Sequence, residues 1–184
     1  MAEFTPESST AASSGKTEQA PPLLVNAQYV KDLSFENPRA PASLSDGQRP
    51  NPNVNVAIDV NARRMQEKRY EVVLSIRAEA SHDEATLFLA EVHYAGLFTI
   101  GDVAEKSIER LLLVHAPHLL FPFARAIIAD SVRNGGFAPL MVHPIDFASL
   151  YRQRKQERAE AQKGDGKDGD GRPSDGEGSE PAAV

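Results

Sequence analysis

The run Ser107–Phe137, SIERLLLVHAPHLLFPFARAIIADSVRNGGF, limits what this chain can fold into more than any other stretch. Ile108, Leu111, Leu112 and His115 follow helical spacing, and Pro117 then interrupts it. Proline suits the first turn of a helix, where its missing N–H is not needed. The pattern predicts a helix near 104–115, a break at Ala116–Pro117 and a longer helix to about Arg133. Pro122 adds a kink or a later start. Asn134, Gly135 and Gly136 supply the stop, because they tolerate left-handed backbone at little cost. From Leu119 to Val132 the polar residues are Arg125, Asp130 and Ser131. A helix apolar nearly all round is buried on more than one side, and this one reads as too short and interrupted to span a membrane. One sheet covers one face; the other predicts a second subunit.

The sheet is legible ahead of that run. In AQYVKDLSFE, Ala27, Tyr29, Leu33 and Phe35 fall on one parity and Gln28, Asp32, Ser34 and Glu36 on the other. Val30 and Lys31 exchange the expected characters. The segment from Asn37 to Asn53 is dense in Pro, Gly, Asn and Ser, which predicts a long irregular crossover between two strands. Val54, Val56, Ile58 and Val60 then alternate with polar or small residues, and a polar turn from Arg63 to Arg69 follows. Tyr70, Val72, Leu74, Ile76 and Ala78 make a third strand, Ser81–Glu84 a turn, and Thr86–Phe98 a fourth strand. Phe88, Ala90, Val92 and Tyr94 lie on one face of the fourth, with Leu87, Leu89, Glu91 and His93 on the other. Short polar turns between consecutive strands imply an antiparallel meander.

Beyond the long helix, Phe137–Val142 is an irregular apolar link, and Asp146 can cap a last helix in which Phe147, Leu150 and Tyr151 share a narrow face. Residues 1–25 and 156–184 lack the apolar side chains that offset ordering entropy, so both read as disordered tails around a single domain at 26–155. Ser14-Gly15-Lys16-Thr17 resembles the end of a phosphate-binding loop. The full pattern needs glycine where Thr10 stands, and no apolar strand precedes it, so a nucleotide site is not expected.

Other chemistry is sparse. A net charge of −6 disfavours nucleic acid as the main partner. The absence of cysteine removes disulfides, thiol nucleophiles and thiolate metal sites. His115 and His118 have helical spacing, but Pro117 lies between them and no acid is close in sequence, so no metal is expected. No G-x-S-x-G turn, and no paired carboxylates on an apolar strand, point to catalysis. No signal peptide opens the chain, which leaves the cytoplasm as the expected address. Two features remain. Leu44, Phe137, Phe147, Leu150 and Tyr151 sit on irregular or narrow elements, either sealing the core rim or lining an open groove for apolar segments of another polypeptide. Asp32, Glu36 and Glu91 occupy outward strand positions, either as a solvated acidic face or as a surface for a basic partner.

The segments YVKDLSFENPRAP (29–41), YEVVLSIRAEAS (70–81), FLAEVHYAGLFTI (88–100), HAPHLLFPFAR (115–125) and HPIDFASLY (143–151) resemble SecB, the bacterial protein-export chaperone family. The likeness runs from about Gln28 to Tyr151 in one register, and its KDxSFE and PxxLFPxAR pieces are highly specific. It implies an α+β fold, a four-stranded antiparallel sheet with helices packed on one face, in a homotetramer built as a dimer of dimers. The dimers of the family associate through the first helical region, which sets Leu120, Ala124, Ile127 and Ile128 as the expected contact.

The resemblance also implies function. The family has no catalytic activity and no cofactor. It holds unfolded secretory precursors and passes them to SecA, the ATPase motor of the translocon. The family's motor-docking positions fall on Asp32, Glu36, Leu89 and Glu91, and its client groove near Phe88, Phe123, Phe137, Phe147, Leu150 and Tyr151. Relatives often carry bulky aromatics in the crossover loop, whereas Leu44 is the large apolar residue there in this chain, which predicts a thinner outer wall. The competing reading is a small-molecule-binding or hydrolytic α+β domain, which would need a pocket with convergent polar groups between sheet and helices.

Overall fold

The computed structural model describes residues 21–45, 52–83 and 85–164, with side chains described as far as Glu160. The Ser14–Thr17 stretch and most of both expected tails lie outside the described residues. The alternating segments form β1 (Leu23–Glu36), β2 (Asn53–Gln66), β3 (Arg69–His82) and β4 (Ala85–Ile100). They make one antiparallel sheet in the order β1-β4-β3-β2. β2, β3 and β4 are the expected meander. β1 and β2 are opposite edges, so the connection between them crosses the sheet; it carries the short helix α1 (Ala42–Ser45).

The strands outrun the alternation that announced them. β1 begins at Leu23, so Leu23–Val25 belong to the sheet and not to a tail. β2 continues through Arg63 and Arg64, and β3 through Ser81 and His82, where polar residues read as turns. Ladder pairing decides these positions, because a side chain on the solvent face carries no apolar signal. The turns tighten accordingly, with Lys68 (φ 58°) and Asp83 (φ 48°) in left-handed backbone.

Two bulges in β1 correct the parity reading. Asn26 and Lys31 are extra residues, since Val25 pairs with Phe98 and Ala27 with Leu97, then Val30 pairs with Tyr94 and Asp32 with His93. Each extra residue flips every later side chain to the other face. Tyr29 therefore lies on the open face while Leu33 and Phe35 lie on the helix-covered face. The exchange of character at Val30 and Lys31 marks the second bulge. A further irregularity between Ala80 and Ser81 leaves Leu87 between Thr86 and Phe88 without a β3 partner, so it is buried rather than open.

The helical run is continuous rather than broken. α2 (Glu105–Arg110) passes through a π-helical turn (Leu111–His115) into α3 (Ala116–Asn134). The Ala116 N–H reaches back five residues to the Leu111 carbonyl. This widened turn lets the helix absorb Pro117, which has no N–H to give and whose ring would crowd an ordinary turn. Pro122 lies inside α3, neither starting nor ending it. At 30 residues, Glu105–Asn134 is long and apolar enough to cross a membrane by length and composition, contrary to the expectation. Leu112, Val114, Ala116, Leu120, Ala124, Ile128 and Val132 are buried in the core it forms with the sheet. Gly96 on β4 keeps the approach close: a Cβ there would lie 2.6 Å from Phe98 and 2.9 Å from Leu120. Gly136, at φ 90°, ends the helix as expected.

α4 (Phe147–Gly164) continues past the expected tail boundary at residue 156. Asp146 caps it, accepting the Ser149 N–H at 3.0 Å. Arg154 anchors the helix to the β2 edge by donating to the carbonyls of Val60 (3.2 Å) and Ile58 (3.3 Å) and pairing with Asp59. That engages backbone acceptors which an edge strand would otherwise offer to another chain.

On the open face the strands are tied by one carboxylate. Glu71 is the buried charged residue of the described chain. It accepts Tyr29 Oη at 2.5 Å, Lys31 Nζ at 2.9 and 3.0 Å, and Arg63 Nε at 2.6 Å. Burial pushes its carboxyl up, but the three donors outweigh burial and hold it at about 2. Because this lies below the ordinary 4.5, the stabilisation is full above pH 4.5 and is lost as pH falls through about 2. Glu71→Gln should lower unfolding free energy by roughly 1–3 kcal/mol at pH 7. Urea midpoints taken from pH 7 down to 2 should converge for parent and variant at the acid end; a constant gap would show that the clamp is not the source.

Candidate functional site

Two surfaces stand out, one on each face of the sheet. On the helix-covered side, Phe35, Phe88 and Phe137 form a ladder, with ring centroids 5.9 Å apart for the first pair and 5.0 Å for the second. Phe35 comes from β1 after its second bulge, Phe88 from β4, and Phe137 from the link that leaves α3. Beside this ladder is an open cavity of about 280 Å³, lined by Leu44, Pro52, Val54, Leu87, Phe88, Phe137 and Leu140, among others. Among the described residues its one polar side chain, Ser43, spends its hydroxyl on Asn37 at 2.9 Å. Among the described residues this groove brings no convergent polar groups together, which suits apolar segments. Leu44 is exposed at the outer lip, against Gly136.

The seven expected groove residues do not all meet there. Leu44, Phe88 and Phe137 do. Phe147 is fully buried, with its ring edge-on to His118 at 5.0 Å and near Phe121 at 6.1 Å, so it is a core residue. Its place as first residue of α4, pointing inward, decides this. Leu150 and Tyr151 line a separate cavity of about 470 Å³ between α4, the π-helical turn and β2, rimmed by Arg154, Lys155 and Arg158. There Tyr151 donates to Glu109 at 2.9 Å, which raises its phenol above the usual range. Phe123 is half exposed on α3, with its ring stacked on Tyr94 of the sheet at 5.9 Å. Phe35, Leu87 and Leu140 were not expected in the groove. The first two are hidden by the bulges, and Leu140 lies on an irregular link with no period to read.

The expected contact face of the long helix also divides. Leu120, Ala124 and Ile128 are fully buried against the chain's own sheet, and Ile127 is half-buried. Helical spacing groups them correctly, but the sheet takes that side. Leu119 and Phe123 are the outward apolar residues, and Val30 and Leu33 of β1 are exposed on the same side of the sheet.

On the open face, cross-strand pairing sets Asp32, Glu36, Leu89 and Glu91 together. Glu36 faces Leu89, Ser34 faces Glu91, and Asp32 faces His93. The rows continue onto β3, where Glu79 faces Leu89, Arg77 faces Glu91, and Ser75 faces His93. Asp32 and Glu36 are exposed and make no ion pair among the described residues. Glu91 is engaged, by His93 Nε2 at 2.9 Å and Arg77 Nη1 at 3.6 Å. The β3 residues went unremarked in the sequence; their parity was available, but their register against β4 was not. Among the described residues no group of three His, Cys, Asp or Glu could hold a metal ion.

A four-stranded antiparallel sheet with helices on one face, an apolar groove at one end and an acidic patch on the bare face, defines an α+β protein with one distinct surface on each side of its sheet. The family model "Preprotein translocase subunit SecB" matches residues 16–158. The chain is similar to "Protein-export protein SecB" of Maricaulis maris (strain MCS10), 53% identical over 146 residues, covering 79% of this chain and 84% of the relative. It is similar also to the Xanthobacter autotrophicus protein of that name, 52% identical over 147 residues, covering 79% of this chain and 94% of the relative. The fold resembles a Mycobacterium tuberculosis SecB-like chaperone, solved in complex with a ChAD peptide from the HigA1 antitoxin. That match has a TM-score of 0.55 and 14% identity, covering 67% of this chain and 90% of the other. The chain belongs to the SecB family of protein-export chaperones.

Proposed function

We propose that this chain is a non-enzymatic, ATP-independent holdase of the cytoplasm that keeps secretory precursors unfolded and delivers them to SecA. The observation that carries this reading is the separation of an apolar groove from an acidic patch by the thickness of one sheet. A holdase stabilises the unfolded client by mass action and needs no nucleotide. Apolar burial is non-directional, so a groove walled by Phe88, Phe137 and Leu44 selects broadly for exposed hydrophobic segments. Asp32, Glu36, Leu89 and Glu91 then serve as the SecA-docking surface, leaving the groove filled while the motor binds.

Assembly is part of the same proposal. The exposed residues Leu119, Phe123, Val30 and Leu33 support contact with further copies of the chain, in a homotetramer whose several grooves engage one long client with avidity. Phe123→Glu should convert a species of about four times 20.0 kDa into smaller ones, measured by light scattering; a tetramer that tolerates the charge would place the contact elsewhere.

Leu44 is half exposed, so its replacement by Ser should leave fold and assembly intact. Losing its burial against a client should weaken capture of a urea-unfolded precursor roughly fivefold. Undiminished capture would sink the groove assignment. The double change Asp32→Lys and Glu36→Lys should instead weaken SecA binding, most strongly at low salt, while precursor capture stays near the parental value. If both activities fall together, the two surfaces are not separate.

A further inference from the structure

We propose that Arg77 sets the strength of motor docking by competing, within the chain, for the carboxylate of Glu91. The inference rests on the docking reading above and concerns how that surface is regulated. Arg77 and Glu91 are direct partners across β3 and β4, and Arg77 Nη1 lies 3.6 Å from one Glu91 oxygen. His93 Nε2 lies 2.9 Å from the other oxygen. The ring of His93 is itself held, with Ser75 Oγ 3.2 Å from Nδ1 and Nε2–H donating to Glu91. Both oxygens of Glu91 are thus occupied before any partner arrives.

The two neighbours differ in kind. His93 is fixed by Ser75 and orients the carboxylate. Arg77 is half exposed, and its contact is long, so it is a loose cation that another can replace. A basic side chain docking on Glu91 must exchange with Arg77 and works against its charge. Asp32 and Glu36 make no ion pair among the described residues and carry no such handicap. Arg77 therefore lowers affinity at one of the docking acids and leaves the others untouched. That favours release after delivery, since the internal cation returns to Glu91 as the partner leaves.

The test uses the full-length chain, SecA and equilibrium binding at two salt concentrations. Arg77→Ser should tighten SecA binding roughly two- to fivefold at about 50 mM salt, and the gain should shrink at about 500 mM, where surface charges are screened. Arg77→Lys should restore the parental value. In a Glu91→Gln background, Arg77→Ser should give no gain. Client capture and the melting temperature serve as controls, which Arg77→Ser should not move. Unchanged or weaker binding by Arg77→Ser overturns the proposal, because a merely structural arginine loses affinity when removed. An equal gain in the Glu91→Gln background also overturns it, by showing general repulsion without competition for Glu91. If SecA does not bind the parent chain at all, or binds the Asp32→Lys, Glu36→Lys chain equally well, the docking reading itself falls and the role of Arg77 with it.

Discussion

The extra residue at Lys31 is the constraint on which both surfaces depend. The Lys31 ammonium lies on Glu71, and the added position resets the parity of everything after it. Asp32 and Glu36 then face solvent on the bare side, while Leu33 and Phe35 face the helices. Without the bulge the acids would lie under the helices and Phe35 would be lost from the aromatic ladder. Glu71 secures the arrangement by drawing donors from β1 and β2 onto β3. A buried carboxylate with three donors is far more specific in register than apolar contacts, which tolerate a slide. The same clamp keeps a bulged edge strand in place beside β4.

Much of this was readable from residue order alone. The meander of β2, β3 and β4, the glycine stop at Gly135–Gly136 and the Asp146 cap follow from local chemistry, and the structure has them. The candidate site was legible where it rests on parity within an unbroken strand, as for Leu89 and Glu91. It failed where tertiary packing chooses between equal faces. Phe147 and Phe123 are both aromatics on helices, yet one is sealed in the core and the other is left half exposed beside Tyr94. No helical period distinguishes them, because the choice belongs to the sheet. Pro117 misled for a related reason: a proline ends a helix only if no wider turn can absorb it, and here a π-helical turn, with Leu112 and Val114 buried, precedes it.

The two faces of the sheet meet different physical demands. The groove side is apolar and shape-tolerant, which suits partners that share little beyond exposed hydrophobic side chains. The bare side is ordered by register, with charges set in rows across β1, β4 and β3. Rows of this kind discriminate by charge pattern and respond to salt. One central strand, β4, serves both, with Phe88 toward the groove and Leu89 toward the patch on adjacent residues. The apolar and the charged surface are thereby separated by a single peptide unit.

The crossing from β1 to β2 has a consequence for how the chain is made. β1 pairs with β4 alone, and β4 is synthesised last of the four strands. A ribosome adds about 5–20 residues per second, so the first strand waits several seconds before its hydrogen-bonding partner emerges. During that interval β2 and β3 can zip as a local hairpin, whereas β1 bears unspent backbone donors and acceptors beside exposed Val30, Leu33 and Phe35. Closing so long a loop is slow relative to hairpin formation. A member of a chaperone family must therefore carry its own first strand unpaired until nearly the whole sheet has been translated.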